Sequence, residues 1–221
     1  MPTFASDSFG GVNGTELSAH NANWKKVSGF SASAQIADGR LRATSTSSPV
    51  YYYDVAPGSA DYSVSADITR RSTGDVSTMG FLARASATAT THYRVISGVP
   101  DARVLLGKFV GGVYTLIGET YGGPSVGYTS NVRLELIGSS LKIYIDGSGT
   151  PAASYTDSSI TDAGYAGVRA YSGATPGDSV GVHLDNFLAA TPGESSAPTI
   201  NSITASNITQ TGARITLGLT R

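Results

Sequence analysis

Apolar and polar residues alternate with a period of two along most of the chain, which is the pattern of a strand with one buried face. The segment 62–69 shows it most clearly, because apolar side chains at Tyr62, Val64, Ala66 and Ile68 are separated by Ser, Asp or Thr. Apolar residues nowhere recur convincingly at i, i+3, i+4 and i+7, the spacing of an amphipathic helix. The pattern therefore predicts strands throughout.

Turn residues divide this pattern into short segments, and Asp38-Gly39, Gly111-Gly112, Gly138-Ser139 and Asp146-Gly147 are the main ones. The strands predicted between the turns are 24–27, a pair within 33–45 on either side of the Asp38-Gly39 turn, 50–55, 62–69, 80–85, 93–97, 104–108, 114–118, 132–137, 141–145, 166–171 and 182–188. Many short strands with glycine-rich turns predict an all-β fold, a two-sheet antiparallel β-sandwich of the jelly-roll type.

The last of these strands carries an unpaired carboxylate. Val182, Leu184 and Leu188 are predicted to share one face, with His183, Asp185 and Phe187 on the other. A buried charge needs a partner, and no cationic residue lies close to Asp185 in sequence. Asp7-Ser8-Phe9 repeats the Asp-x-Phe pattern of 185–187 near the other end of the chain. We therefore predict that the two ends lie side by side and share a site for a metal ion.

The composition changes towards the C-terminus. Residues 1–190 are predicted to form the sandwich, and 191–198, rich in Pro, Ser and Gly, a linker. Residues 199–221 are β-prone but too few to bury a core of their own.

Charge and cysteine content exclude several classes of function. The net charge of −1 favours neither nucleic acid nor an anionic membrane as a partner. The absence of cysteine excludes disulfides, thiol catalysis and thiolate zinc sites. The first residues lack a basic region followed by an apolar run, so no secretory signal is predicted, and no apolar run approaches the length of a membrane span.

Several fragments together resemble the concanavalin A-like lectin/glucanase superfamily, in its laminin-G-like form found in bacterial and phage proteins. They are Asp7-Ser8-Phe9, Asn13-Gly14-Thr15, Trp24, Gly80-Phe81-Leu82-Ala83-Arg84, Tyr93-Arg94-Val95, 133–147, Gly167-Val168-Arg169 and Leu184-Asp185-Asn186-Phe187. The resemblance covers about residues 5–190. The segment 197–217 is similar to the first strands of a fibronectin type III or Ig-like module. Residues 199–221 are therefore predicted to be a partial module of this kind or a docking tail.

The resemblance implies a structural calcium ion away from the ligand cleft. Matched motif to motif, its ligands are the carboxylate of Asp185 and the backbone carbonyls of Ser8 and Gly39. Hard oxygen ligands of this kind suit Ca²⁺. The alternative is that Asp185 only accepts hydrogen bonds.

The resemblance also raises the question of glucanase activity. Retaining glycoside hydrolysis needs two carboxyl groups about 5–5.5 Å apart. None of the four glutamates has an acidic residue two or four positions away, and the three histidines show no metal or nucleophile spacing. Asp67 and Glu135 could share a sheet face, but nothing in the sequence pairs them, and both are predicted to be solvated strand carboxylates. We therefore expect no catalytic activity.

The concave sheet of the superfamily is its usual carbohydrate-binding surface. The residues predicted to bind a sugar there are Arg84, Tyr93, Arg169 and Tyr171, since Arg hydrogen-bonds hydroxyls in a fork and Tyr stacks on a sugar face. The alternative is that they are ordinary exposed or cross-strand residues. Trp24, the only tryptophan, is predicted to anchor the core and not to serve as a stacking platform.

These observations favour a non-catalytic structural or adhesive module of a bacteriophage virion, a head or tail appendage that binds cell-surface glycans. Its partners would be a glycan and other virion proteins, and virion assembly would supply any oligomeric state. The alternatives are a carbohydrate-binding module of a secreted bacterial protein and, less favoured, a β-glucanase.

Overall fold

The computed structural model describes residues 2–29, 32–44, 48–72, 77–98, 100–172, 177–192, 199–209 and 212–220. Nearly all regular structure is strand, as predicted. The strands are β1 (Thr3–Asp7), β2 (Trp24–Lys26), β3 (Ala34–Ala37), β4 (Arg40–Ala43), β5 (Val50–Tyr53), β6 (Tyr62–Arg70), β7 (Thr78–Ala85), β8 (His92–Ser97), β9 (Arg103–Val110), β10 (Val113–Tyr121), β11 (Thr129–Ile137), β12 (Ser140–Ile145), β13 (Ala153–Thr156), β14 (Tyr165–Tyr171), β15 (Val182–Ala190), β16 (Thr199–Thr209) and β17 (Gly212–Thr220). A one-turn helix, α1 (Leu17–His20), and a 3₁₀ turn at Pro100–Ala102 complete the described elements.

The strands up to β15 form two antiparallel sheets. The first has the order β13-β12-β11-β6-β15-β4-β3, and β1 also pairs with β15. The second has the order β10-β9-β8-β7-β14-β5-β2. Neighbours in each sheet are mostly distant in sequence, as the crossing connections of a jelly roll require. The predicted all-β sandwich is therefore confirmed.

The core lies between the two sheets and draws large side chains from both. Its largest fully buried members are Trp24, Tyr51, Tyr62, Tyr93, Phe9, Phe81 and Phe187. Trp24 packs edge-on against Tyr53 and Phe187, with ring centroids 5.0 and 5.1 Å away. The prediction that Trp24 anchors the core is therefore confirmed.

The two Asp-x-Phe segments are neighbours, as predicted, because β1 pairs antiparallel with β15 and places Asp7 opposite Phe187. The predicted face assignment along β15 is wrong after Asp185. A β-bulge lies between Asp185 and Leu188, and Asn186 within it has a φ of 48°. The extra residue reverses the alternation, so Phe187 is 1% exposed in the core and Leu188 is 41% exposed.

Residues Pro2–Thr191 and Pro192–Arg221 form two separate compact units. In the second unit β16 and β17 pair antiparallel. Most of the predicted linker, at 193–198, lies outside the described residues. The fibronectin type III or Ig-like interpretation of 199–221 stays a prediction. Among the described residues, no helix has the length and apolar character needed to cross a membrane.

Candidate functional site: the outer face of the second sheet

Strand alternation fixes which side chains face outward from the second sheet. On β8, Tyr93 and Val95 are fully buried between the sheets, so His92 and Arg94 lie on the other face. On β14, Val168 and Ala170 point into the core, which leaves Arg169 and Tyr171 outside. This outer face therefore carries two arginines on strands separated only by β7.

Arg94 lies against two aromatic rings. Its guanidinium carbon is 4.7 Å from the Phe109 ring centroid and 5.1 Å from that of Tyr114. Tyr114 is 42% exposed, so one side of its ring is open to solvent. The ring fits because residue 107 beneath it is glycine, and a Cβ there would lie 2.4 Å from the ring. Burial lowers the pKa of Arg94, while Tyr114 opposes that shift.

Arg169 is held by hydroxyl groups. It donates to Thr78 Oγ1 at 3.0 Å and to Ser48 Oγ at 2.8 Å, and it lies 5.4 Å from the Tyr171 ring centroid. Burial, and next the positive charge of Arg94, lower the pKa of Arg169 to about 10, so it remains charged at neutral pH. Neither arginine forms an ion pair with a carboxylate in the described part of the chain.

His92 is buried beside these arginines. Its ring stacks on Phe109 with centroids 4.7 Å apart and planes 18° apart. Neither ring nitrogen makes a hydrogen bond with the described residues. Burial, and next the Arg94 charge, lower the pKa of His92 to about 4, while the Ala89 backbone opposes the shift. His92 is therefore neutral at physiological pH.

A groove of about 380 Å³ opens on this face. We call it the outer groove, and it is lined by Val27, Ser28, Ser48, Val50, Thr88, Ala89, Thr90, His92, Arg94, Phe109, Gly112 and Arg169. No carboxylate is among these lining residues. The groove thus offers guanidinium and hydroxyl donors beside an aromatic surface, a set that suits polar ligands with hydrogen-bond acceptors.

The four residues predicted to bind sugar do not form one group. Arg169 and Tyr171 lie together on the outer face, whereas Tyr93 is fully buried and Arg84 is 2% exposed. Tyr93 does not lie on a surface that a sugar could reach, because the odd positions of β8 point into the core. Tyr93 donates its hydroxyl to Asp157 Oδ1 at 2.8 Å and has no exposed ring face.

The Arg84 side chain instead connects three loops by hydrogen bonds to their backbone carbonyls. It donates to the carbonyl oxygens of Ile160 at 2.7 Å, and of Ala60 and Gly138 at 2.9 Å. Its guanidinium is therefore occupied by the backbone. A φ of 50° at Arg84, beside a register shift between β7 and β14, carries its side chain out of the regular alternation.

The three predicted calcium ligands come to the same stretch of β15. β6 occupies one edge of this strand, and β1 and β4 share the other, with Phe187 opposite Asp7 and Leu184 opposite Leu41. Ser8 follows β1 and Gly39 precedes β4, so their backbones converge beside Asp185.

The surroundings of Asp185 are acidic. Its strand neighbour on β6 is Asp67, whose two oxygens accept from Asn131 Nδ2 at 2.7 Å and Asn186 Nδ2 at 2.8 Å. Burial raises the pKa of Asp185, and the charges of Asp67 and Asp7 add to that effect against the Asn186 N–H and Arg40. A divalent cation would relieve this repulsion. Within the described ranges no group of three His, Cys, Asp or Glu side chains is arranged to hold a metal, so an ion here would depend on the carbonyls.

Asp67 and Glu135 are too far apart to act as the carboxylate pair of a glycoside hydrolase. The register of β6 and β11 places Asp67 opposite Asn131, four residues from Glu135. Four residues along a strand span about 13 Å, beyond the carboxyl separations of retaining and inverting glycosidases. Glu135 is instead bound to Arg133 at 3.2 Å and to the Tyr144 hydroxyl at 3.1 Å.

Sequence reasoning missed four residues of the outer groove and its rim, namely His92, Arg94, Phe109 and Tyr114. The sequence His92-Tyr93-Arg94-Val95 contained the signal for the first two. Tyr93 and Val95 alternate as apolar residues on one face of the strand, which leaves His92 and Arg94 on the other. Phe109 and Tyr114 flank the Gly111-Gly112 turn. Their position beside His92 follows only from the strand pairing, which places Phe109 opposite His92 and Tyr114 opposite Phe109.

No protein-family model matches the chain, and no curated protein matches it either. Solved structures share its fold. A carbohydrate-binding module, CBM66, from Bacillus subtilis has a TM-score of 0.58 at 16% identity, over 86% of this chain and 97% of that one. A glycosyl hydrolase family protein from Mycobacterium fortuitum has a TM-score of 0.55 at 11% identity, over 86% and 100%. The carbohydrate recognition domain of Emp46p, in a potassium-bound form, has a TM-score of 0.52 at 9% identity, over 79% and 91%. The chain therefore has the jelly-roll fold of lectin and carbohydrate-binding domains.

Proposed function

We propose that this protein is a non-catalytic glycan-binding module and that the outer groove is its binding site. The observation that carries the proposal is the pair Arg94 and Arg169, which lie beside aromatic rings at a groove and have no carboxylate partner among the described residues. Guanidinium groups donate to sugar oxygens, and the open side of Tyr114 offers a ring for stacking. The fold shared with a carbohydrate-binding module and a lectin domain supports this assignment.

A glycan array followed by calorimetry tests the proposal. Arg169→Ala is expected to weaken binding of any array hit at least tenfold. Arg133→Ala is the matched control, because Arg133 lies 3.8 Å from the Tyr144 ring centroid on the first sheet, in a similar arginine–tyrosine pair. Silence on a broad array, or equal losses in both variants, would contradict the proposed site.

We place this module in a bacteriophage virion, as a head or tail appendage. The cysteine-free, Ser-, Thr- and Gly-rich β-domain with its separate C-terminal hairpin supports the placement. Capsid and tail genes beside its gene are the expected finding. The second candidate, a module of a secreted bacterial protein, is favoured by the likeness to the Bacillus subtilis module, and a neighbouring polysaccharide-utilisation cluster would select it.

We further propose a structural calcium ion held by Asp185 and the carbonyls of Ser8 and Gly39. The convergence of β1 and β4 on Asp185, and the raised pKa of that carboxyl, support it. Such an ion would bind the N-terminal strand to the first sheet.

The calcium proposal is tested by thermal melting in Ca²⁺ and in EDTA. Ca²⁺ is expected to raise the melting temperature of the native protein but not of Asp185→Ala, whose glycan binding should remain. Asp178→Ala is the control, since the Asp178 side chain is 52% exposed and forms a surface ion pair with Arg42. Identical melting in Ca²⁺ and EDTA would exclude the ion.

A further inference from the structure

The charged residues that line the outer groove are of one sign. Arg94 and Arg169 face it, and none of its lining residues is acidic. The nearby Glu119 on β10 is bound to Arg103 at 3.0 Å. The whole chain has a net charge of −1, so this positive patch is local and does not follow from the composition.

The spacing of the two arginines follows from the register. Arg94 on β8 lies opposite Leu82 of β7, and Arg169 on β14 lies opposite Gly80 of the same strand. Two strand spacings, with an offset of two residues along β7, separate their backbones by about 12 Å. Between them Leu82 is buried and Gly80 has no side chain, so the floor is low and the two guanidinium groups border the same groove.

The groove has guanidinium groups but no carboxylate, so its chemistry favours a ligand that carries an anionic acceptor. Neutral sugars both donate and accept hydrogen bonds, and their binding sites commonly use a carboxylate as the strong acceptor, which the lining of this groove lacks. Its charged groups are guanidinium donors, and its hydroxyls at Ser28, Ser48, Thr88 and Thr90 and the neutral His92 can donate or accept. The ring nitrogens of His92 and Nε of Arg94 are buried without hydrogen-bond partners among the described residues. A carboxylate or sulfate accepts charge-assisted bonds from guanidinium, and such bonds are about twice as strong as neutral ones.

We propose that the outer groove is selective for acidic glycans, with Arg94 and Arg169 binding a carboxylate or sulfate group of the sugar while Phe109 and Tyr114 contact its ring. This inference rests on the proposed glycan-binding function and adds the class of ligand. An anion bound between the two arginines would also offset the repulsion between their charges.

Matched pairs of ligands test the selectivity by calorimetry. One pair is oligogalacturonate and its methyl ester, which have the same backbone with and without carboxylates. The other is a sulfated galactan and its desulfated form. At least tenfold tighter binding of the charged member is expected in one pair or both, and the responding pair identifies the anion. The affinity should fall when NaCl is raised from about 0.05 to 0.5 M, because salt screens the attraction.

Charge-removing variants connect this selectivity to the groove. Arg94→Gln and Arg169→Gln are each expected to reduce affinity for the charged ligand at least tenfold, whereas Arg133→Gln on the first sheet should leave it unchanged. Arg169→Lys keeps the charge and should retain part of the binding. Circular-dichroism melting checks that each variant is folded. If Arg94→Gln or Arg169→Gln does not fold, the affinity of the other variant tests the proposal.

Each outcome separates the two proposals. Equal affinity for charged and neutral partners would overturn acid selectivity while the glycan-binding function stands. No binding to any member of either pair, together with a silent array, would overturn both. Binding of inorganic polyphosphate as tight as that of the sugar acids, or binding unchanged in both glutamine variants, would show attraction by charge alone and overturn the inference.

Discussion

Asp7 is the residue on which the N-terminal segment depends. Its Oδ1 accepts from the Phe9 N–H at 2.7 Å and is 3.0 Å from His20 Nε2, and its Oδ2 accepts from Trp24 Nε1 at 2.8 Å and Asn21 Nδ2 at 3.2 Å. One carboxylate thus satisfies polar groups from β1 to β2, including that of the buried Trp24.

Asp7→Ala should therefore destabilise the fold. The change leaves the Trp24 indole N–H buried without its acceptor, and hydrogen bonds to a charged group contribute about 1.5–3 kcal/mol each. A loss of about 3 kcal/mol in the free energy of unfolding is expected, measured by urea denaturation. Asp178→Ala, at an exposed ion pair, should cost less than about 1 kcal/mol. Equal effects of the two substitutions would contradict the role of Asp7.

His92 makes stability depend on pH. Its pKa is lowered to about 4 in the folded protein, against 6.5 ordinarily. Below pH 6.5 the unfolded chain takes up a proton that the folded protein excludes, so stability is lost as pH falls from 6.5 towards 4. His92→Gln should remove about 2 kcal/mol of the loss between pH 7 and 4.5, measured by denaturation at both values. An unchanged pH profile in the variant would show that His92 titrates normally.

The face of the sheet on which each side chain lies was the feature of the site that the sequence predicted least well. Arg169 and Tyr171 follow the regular alternation of β14, and their outward position agrees with the pattern of buried Val168 and Ala170. Arg84 departs from alternation at a positive φ, and nothing in its local sequence indicates that backbone conformation. Tyr93 was misassigned because a tyrosine is compatible with either face of a sheet.

At the scale of the element, the positions of the strands were predictable from the sequence. Which side chains of each strand face the core was less predictable. Hydrophobic alternation and the glycine turns located the strands of both sheets within a few residues, except β1 and β13, which the predicted strands do not include. The bulge at Asn186 was not predictable, because a single extra residue depends on the register with β6. That bulge brings Phe187 into the core and leaves the Asn186 side chain free to bond Asp67.

Gly80 shows how closely the central strands approach. A Cβ at this position would lie 2.1 Å from the carbonyl oxygen of Val95 on β8, so the backbone would have to move. Gly80→Ala is expected to cost about 3 kcal/mol or more of stability, because overpacking here cannot be relieved by a side chain. Gly149→Ala is the control, as no atom lies within 4 Å of its Cβ position. Chemical denaturation compares them, and a neutral Gly80→Ala would contradict the β7–β8 register.

At the scale of the whole molecule, the two sheets have different proposed roles. The first sheet holds β1, β4 and β15 together around Asp185, where the proposed ion would stabilise the fold. The second sheet turns its outer face, with Arg94 and Arg169, to the proposed ligand. The fold class followed from the sequence because alternation is local. The outer groove also depends on the register of β8 with β9 and on the pairing of β7 with β14, which joins residues distant in sequence.

The ends of the sandwich meet, which bears on the role of the C-terminal unit. The Thr191 N–H donates to the Pro2 carbonyl at 3.1 Å, and every strand of both sheets lies within Pro2–Thr191. A chain of residues 1–191 should therefore fold with the melting temperature and glycan affinity of the full chain, since both sheets and their core are intact. Loss of 1 kcal/mol would lower the melting temperature by roughly 2–4 °C in a domain of this size, a shift that calorimetry resolves. A larger fall on truncation would show that 192–221 contributes to the stability of the sandwich, and loss of glycan binding alone would assign part of the binding site to that segment.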